Sequence, residues 1–149
     1  MNESDDEVVL RRSFEAPAHL VWQLWTDPHH FSEWYGPPGS TVGAVAYDLT
    51  AGGERTLRMH VQTPDGPRTM TFTGAFAEIV DERRLVYTEA VVEHGGPSTE
   101  VTIELTERAG STDLVLRHRG IPADSPGEQG WIFALASLAT AVERIAFPQ

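Results

Sequence analysis

The sequence predicts an α+β domain: one strand, two short helices, a six-stranded antiparallel meander, and a long C-terminal helix laid on the sheet. Three observations carry this. The stretch from Asp124 to Phe147 is one long amphipathic run with its own start and stop signals. Between Val42 and His118, apolar and polar residues alternate in successive short segments separated by turn-forming residues. Helical spacing appears elsewhere only briefly, between Pro17 and Trp34.

Val8, Leu10, Arg12 and Phe14 alternate with Val9, Arg11 and Ser13, the period of a strand. Ala16-Pro17 ends it, and Leu20, Val21, Leu24 and Trp25 then recur at helical spacing. Asp27-Pro28 caps a second short helix through Phe31 and Trp34, and Gly36-Pro37-Pro38-Gly39 forces a loop. Val42 to Tyr47 reads as a strand and Gly52-Gly53 as a turn. Arg55, Leu57, Met59 and Val61 then share one face, opposite Glu54, Thr56, Arg58, His60 and Gln62. After the Pro64-Asp65-Gly66-Pro67 hairpin turn, Met70, Phe72, Gly74 and Phe76 share a face. Asp81 to Arg84 turns the chain into Leu85–Val92, and His94-Gly95-Gly96-Pro97 turns it again. Thr99, Val101, Ile103 and Leu105, then Thr112, Leu114, Leu116 and His118, complete the meander.

The last segment is the longest. Ser125 and Glu128 form a capping box, Pro126 sits where its missing N–H is harmless, and Pro148 supplies the stop. Trp131, Leu135, Leu138, Val142 and Ile145 make one stripe on a rod about 30 Å long. Such a face needs a large apolar partner, and the one-sided sheet is that partner.

Composition narrows the function classes. The 149 residues are 40% hydrophobic and rich in aromatics, which suits one globular domain over residues 7–147. Disorder is expected only in the acidic Met1–Asp6 segment. A formal charge of −11 argues against nucleic acid and anionic membrane as partners. Every basic residue is arginine, so lysine Schiff-base chemistry is excluded, and with no cysteine so are disulfides and thiol nucleophiles. Neither an apolar leader nor a membrane-length apolar run is present, and a cytoplasmic location is expected. No phosphate loop, nucleophile elbow or dinucleotide fingerprint occurs, so no cofactor is expected.

Local motifs add a resemblance. Arg12-Ser13-Phe14-Glu15-Ala16-Pro17, Val21-Trp22, Thr26-Asp27-Pro28 and Trp34-Tyr35-Gly36-Pro37 open a recognisable pattern. Gly52-Gly53, Gly74 with Glu78-Ile79, Arg84-Leu85-Val86-Tyr87-Thr88, Thr112 through Gly120, and Gly130-Trp131 continue it. Across residues 7 to 146 the chain resembles the helix-grip fold of START-like (SRPBCC, Bet v 1-like) proteins. The subgroup it resembles is related to the C-terminal domain of the activator of the ninety-kilodalton heat-shock protein's ATPase. The resemblance implies a deep cavity between a curved sheet and the long helix, taking an apolar or aromatic small molecule.

On that footing the expected ligand-binding residues are Trp34, Met59, Met70, Phe72, Tyr87, His118, Trp131 and Leu135. Met59, Met70, Phe72, Tyr87 and Trp131 are large and pliable, and serve equally as plain core. Trp34 is either a cavity rim beside the glycine–proline loop or a core anchor. His118, inward near a strand end, reads first as a buried histidine satisfied by a neighbour and second as a polar anchor or acid–base group. Should Glu89, Tyr87 and His118 converge, they supply acid–base chemistry of the polyketide cyclase/dehydratase kind. Arg12 and Arg55 also face inward and read as salt-bridged residues at the sheet rim. His29 and His30 lack partners at metal-ligand spacing, and no metal site is expected. Phe133 falls opposite the Trp131 stripe, where it is either a lone exposed aromatic or, with Ala136, a homodimer contact. A chaperone-interaction module is the remaining alternative that the family implies.

Overall fold

Alternation and capping place the elements where the sequence puts them, and strand pairing joins them into one sheet. The computed structural model describes residues 6–37 and 39–147. In order they are β1 (Glu7–Phe14), α1 (Ala18–Thr26), α2 (Pro28–Trp34), β2 (Thr41–Tyr47), β3 (Glu54–Thr63), β4 (Gly66–Val80), β5 (Arg84–Val91), a short 3-10 turn (Val92–His94), β6 (Thr99–Arg108), β7 (Ser111–Arg119) and α3 (Pro126–Ala146). The strand order is β1-β7-β6-β5-β4-β3-β2, antiparallel throughout. The first strand therefore pairs with the last, and α1 and α2 carry the chain from one sheet edge to the other. Met1 to Asp5 and Pro148, parts of the expected acidic tail and of the helix stop, lie outside the described residues. Asp6 is already tied in: its carbonyl accepts the Gly120 N–H at 2.9 Å.

Each helix start has a physical cap. Pro17 has no side-chain donor or acceptor for α1, and Glu107 Oε1 accepts the Ala18 N–H instead, at 2.8 Å. The Asp27 carboxylate accepts the His29 and His30 N–H groups at 2.9 and 3.4 Å, capping α2. On α3 the Ser125 hydroxyl accepts the Glu128 N–H at 3.4 Å. The returning carboxylate of Glu128 takes the Asp124 N–H at 2.7 Å, one residue earlier than a standard capping box does. Asp124 has a φ of 60°, the left-handed region that an Asp tolerates at a turn into a helix.

The inner sheet face carries Leu57, Phe76, Leu85, Val101, Ile103, Leu114 and Leu116, all buried, and α3 closes on it through Leu138, Ala141 and Val142. Each large aliphatic side chain so buried contributes roughly 1.5–3 kcal/mol. A bulge between Phe76 and Glu78 lets β4 place Phe76 and then Ile79 against the core, with Glu78 outside. Arg12 also departs from expectation. It stands opposite Leu114 on β1, but β1 is an edge strand and the side chain is exposed.

Gly74 marks a close crossing of β4 and β5. A Cβ there would sit 1.9 Å from the Thr88 carbonyl oxygen, a backbone atom that cannot swing aside. Gly74→Ala is expected to destabilise the fold by about 1–3 kcal/mol, an overpacking cost. Urea unfolding checks this, as a lower midpoint at unchanged slope.

Candidate functional site

Packing does not close along the whole length of α3. Near its N-terminal end Gly127, Gly130 and Ala134 offer little side chain, and a cavity of about 660 Å³ opens between them and β3, β4 and β5. A Cβ added at Gly130 would meet nothing within 4 Å. The walls are Met59 and Val61 of β3, Met70 and Phe72 of β4, and Trp131 of α3. Tyr35, just past α2, stands edge-on to Phe72 and Trp131 at centroid distances of 6.1 and 5.8 Å. Gly36 (φ 101°) lets the following loop turn tightly over Met59: a Cβ there would lie 3.2 Å from Met59 Cε and 2.6 Å from Ser40 Oγ.

Five expected binding residues, Met59, Met70, Phe72, His118 and Trp131, line this space. Trp34, Tyr87 and Leu135 do not. Trp34 is 3% exposed, its Nε1 donates to the Leu24 carbonyl at 2.8 Å, and its ring packs edge-on to Trp25 and Phe31. It is the core anchor, and its neighbour Tyr35 faces the cavity. Leu135 is buried on the sheet side of α3. Phe133, on the far side by the helical wheel, is exposed as expected, and it also borders the cavity mouth. Ala136 is exposed away from it.

His118 is held by a directional chain. Trp131 Nε1–H donates to His118 Nδ1 at 2.8 Å, which leaves the ring proton on Nε2. That nitrogen lies 2.7 Å from Thr99 Oγ1, whose own hydroxyl donates to the Glu89 carbonyl at 3.1 Å. Burial depresses the imidazole pKa to about 4. The histidine is neutral near pH 7 with both nitrogens occupied, and it ties the first turns of α3 to β6 and β7.

Arg55 faces inward and is salt-bridged as expected, but it lies in the core and not at the sheet rim. It is 1% exposed and central, with Cζ 3.7 Å from the Tyr87 ring centroid, 5.1 Å from Phe31 and 5.5 Å from Tyr47. Its Nη1 meets Glu89 Oε1 at 3.4 Å, while Nε and Nη2 have no partner among the described residues. Burial works against its charge, a cost that the Glu89 carboxylate and the ring faces of Tyr87 and Tyr47 offset, and a guanidinium does not give up its proton. Burial also pushes the Glu89 carboxyl above its ordinary value, with Arg55 pulling the other way. The Tyr87 hydroxyl is buried and has no partner among the described residues. Glu89, Tyr87 and His118 thus do not converge on one reacting atom. Glu89 and His118 reach the cavity, but Tyr87 does not, and His118 has no free nitrogen.

Outside the cavity, His30 contacts Gln23 at 3.1 Å and Glu33 at 3.3 Å on an open helix surface. Among the described residues no three His, Asp or Glu side chains gather as a metal site, and no helix is long and apolar enough to cross a membrane.

A seven-stranded antiparallel sheet gripping one long helix around a cavity defines a helix-grip protein. Residues 15–143 match the family described as Activator of Hsp90 ATPase homolog 1-like protein, and the chain belongs to that family, part of the SRPBCC superfamily. Among solved structures it is similar to protein CV1439 from Chromobacterium violaceum, at 27% identity, TM-score 0.82, and coverage of 93% of this chain and 97% of that one. Protein NE0264 from Nitrosomonas europaea is similar at 25% identity, TM-score 0.73, and coverage of 93% and 95%. An AHSA1-like protein from Aeromonas hydrophila shares the fold at 22% identity, TM-score 0.73, and coverage of 93% of each chain. No curated protein matches the chain.

Proposed function

We propose that this protein binds an apolar, aromatic small molecule in the cavity between β3–β5 and the N-terminal half of α3. The observation that carries the reading is the cavity itself. Its volume of about 660 Å³ falls within the range of small-molecule sites, and Trp131, Phe72, Tyr35, Met59 and Met70 wall it. Methionines adapt to ligand shape, and aromatic rings offer both faces and edges to a flat molecule. A protein stabilised only by its core has no use for such a space, since an unfilled cavity weakens the fold in proportion to its volume. Binding rather than turnover is the reading favoured, because Tyr87 lies off the cavity wall and His118 has both nitrogens bonded and is not basic near pH 7.

The test is to fill the space. Met70 is half-buried and lines the cavity, so Met70→Trp adds volume inward without removing a core contact at Leu138 or Val142. Affinity for a fluorescent aromatic probe, read by quenching, should fall at least tenfold, with the thermal midpoint within a few degrees of the parent's. Unchanged affinity in a folded variant would place any binding elsewhere. Native mass spectrometry of the purified protein gives the complementary readout, a mass excess lost in Met70→Trp.

A further inference from the structure

Glu89 is the one charged side chain among the described residues lining the cavity, and it is 7% exposed. Its bonding is incomplete. Arg55 Nη1 reaches only Oε1, at a long 3.4 Å, and Oε2 has no donor among the described residues. Tyr35 lines the same cavity, its ring edge-on to Phe72 and Trp131, and its hydroxyl has no hydrogen-bond partner among the described residues. A carboxylate oxygen and a phenol that face one apolar cavity without a protein partner mark where a ligand supplies one.

Resting on the cavity-binding reading above, we infer that the ligand is a flat, uncharged aromatic carrying a hydroxyl at its inner end, with its O–H donated to Glu89 Oε2 and its oxygen accepting from Tyr35. Charge decides against the alternatives. A carboxylate would meet the Glu89 oxygen first, because Arg55 lies behind it and off the wall. An ammonium would add a second buried cation to a carboxylate that Arg55 already neutralises. A bare hydrocarbon would seal both polar groups away from water unpaired. A neutral hydroxyl satisfies both and adds no charge. The aromatic body is set by Trp131, Phe72 and Tyr35, whose rings line the same space.

Three probes of one shape separate these cases: 1-hydroxypyrene, pyrene and pyrene-1-carboxylate, titrated into the full chain at pH 7 and followed by fluorescence. The hydroxyl probe should bind about tenfold or more tighter than pyrene, as expected for a hydrogen bond to a charged acceptor. The carboxylate should bind weakest. In Glu89→Gln, which keeps the shape but leaves Arg55 uncompensated, the carboxylate should gain at least tenfold and overtake the hydroxyl probe. Should that variant not fold, the double variant Arg55→Met with Glu89→Leu removes both charges, and the two neutral probes should then bind within about twofold of each other. Equal binding of 1-hydroxypyrene and pyrene to the parent protein, both lost in Met70→Trp, would overturn the hydroxyl assignment and leave the cavity reading standing. Binding of none of the three would overturn both.

Discussion

Replacing Glu89 by Ala is expected to destabilise the protein by about 3–5 kcal/mol, the largest loss of any single polar substitution proposed for it. The reason is the partner left behind. Arg55 is fully buried between Tyr87, Phe31 and Tyr47, and Glu89 is its only anionic contact among the described residues, at 3.4 Å. Cation–π attraction offsets part of the burial, by about 2 kcal/mol at most for a well-desolvated ring, and cannot replace the missing counter-charge. An arginine cannot escape by losing its proton. The reciprocal change behaves differently. In Arg55→Met a flexible apolar chain fills the aromatic box, and Glu89, whose carboxyl burial already holds above its ordinary range, can take a proton. That variant should lose about 1–3 kcal/mol, and its stability should fall as pH rises from the ordinary carboxyl value of 4.5 toward the raised folded one. The sign follows from linkage: a carboxyl that binds its proton more tightly when folded favours the fold at low pH. Urea titrations of both single variants and of the Arg55→Met, Glu89→Leu pair check the asymmetry. Equal losses in the two single variants would refute it.

This pair also shows where sequence reading stops. The elements were legible because their signals are local: the Ser125–Glu128 cap, the alternation from Thr99 to Leu105, the Pro64–Pro67 turn. Strand alternation also placed Arg55, Tyr87, Glu89 and His118 on inward faces correctly. It says nothing about depth. Arg55 reads as a rim residue near a strand end, and becomes central only because α2, β2 and β5 supply Phe31, Tyr47 and Tyr87 around it. Trp34 and Tyr35 read as one aromatic pair. The end of α2 falls between them, so one anchors the core and the other faces the cavity. Phe133 is solvent-facing on a helical wheel and exposed in the fold. Where the cavity opens, its mouth extends around the helix to meet Phe133. Which polar groups face the cavity, Tyr35 and Glu89 among them, is a property of the assembled wall, and no sequence pattern carries it.

Acidification should lower the stability of the fold before it reaches the acid range of ordinary carboxylates, and His118 is the group responsible. Its folded pKa, near 4, lies below the unfolded value of 6.5 because burial disfavours the imidazolium. Protonating it would place a second proton on Nδ1, the nitrogen that accepts from Trp131. The unfolded chain therefore takes up a proton as pH drops through 6.5 while the folded chain does not, and stability drains away between pH 6.5 and about 4. About 2.5 pKa units correspond to roughly 3 kcal/mol, a large share of a domain's margin. Aspartates and glutamates titrate in the lower part of that window, so the measurement is a difference. Urea-unfolding free energies are taken across pH 4 to 7.5 for the parent and for His118→Leu. The variant should be less stable at pH 7 by about 1–3 kcal/mol, since Trp131 Nε1 loses its acceptor. It should also lack the extra slope between pH 6.5 and 5, so the two curves converge as pH falls. Parallel curves would mean that His118 takes up its proton equally in the folded and unfolded chain, and the Trp131–His118–Thr99 chain would then not hold it neutral.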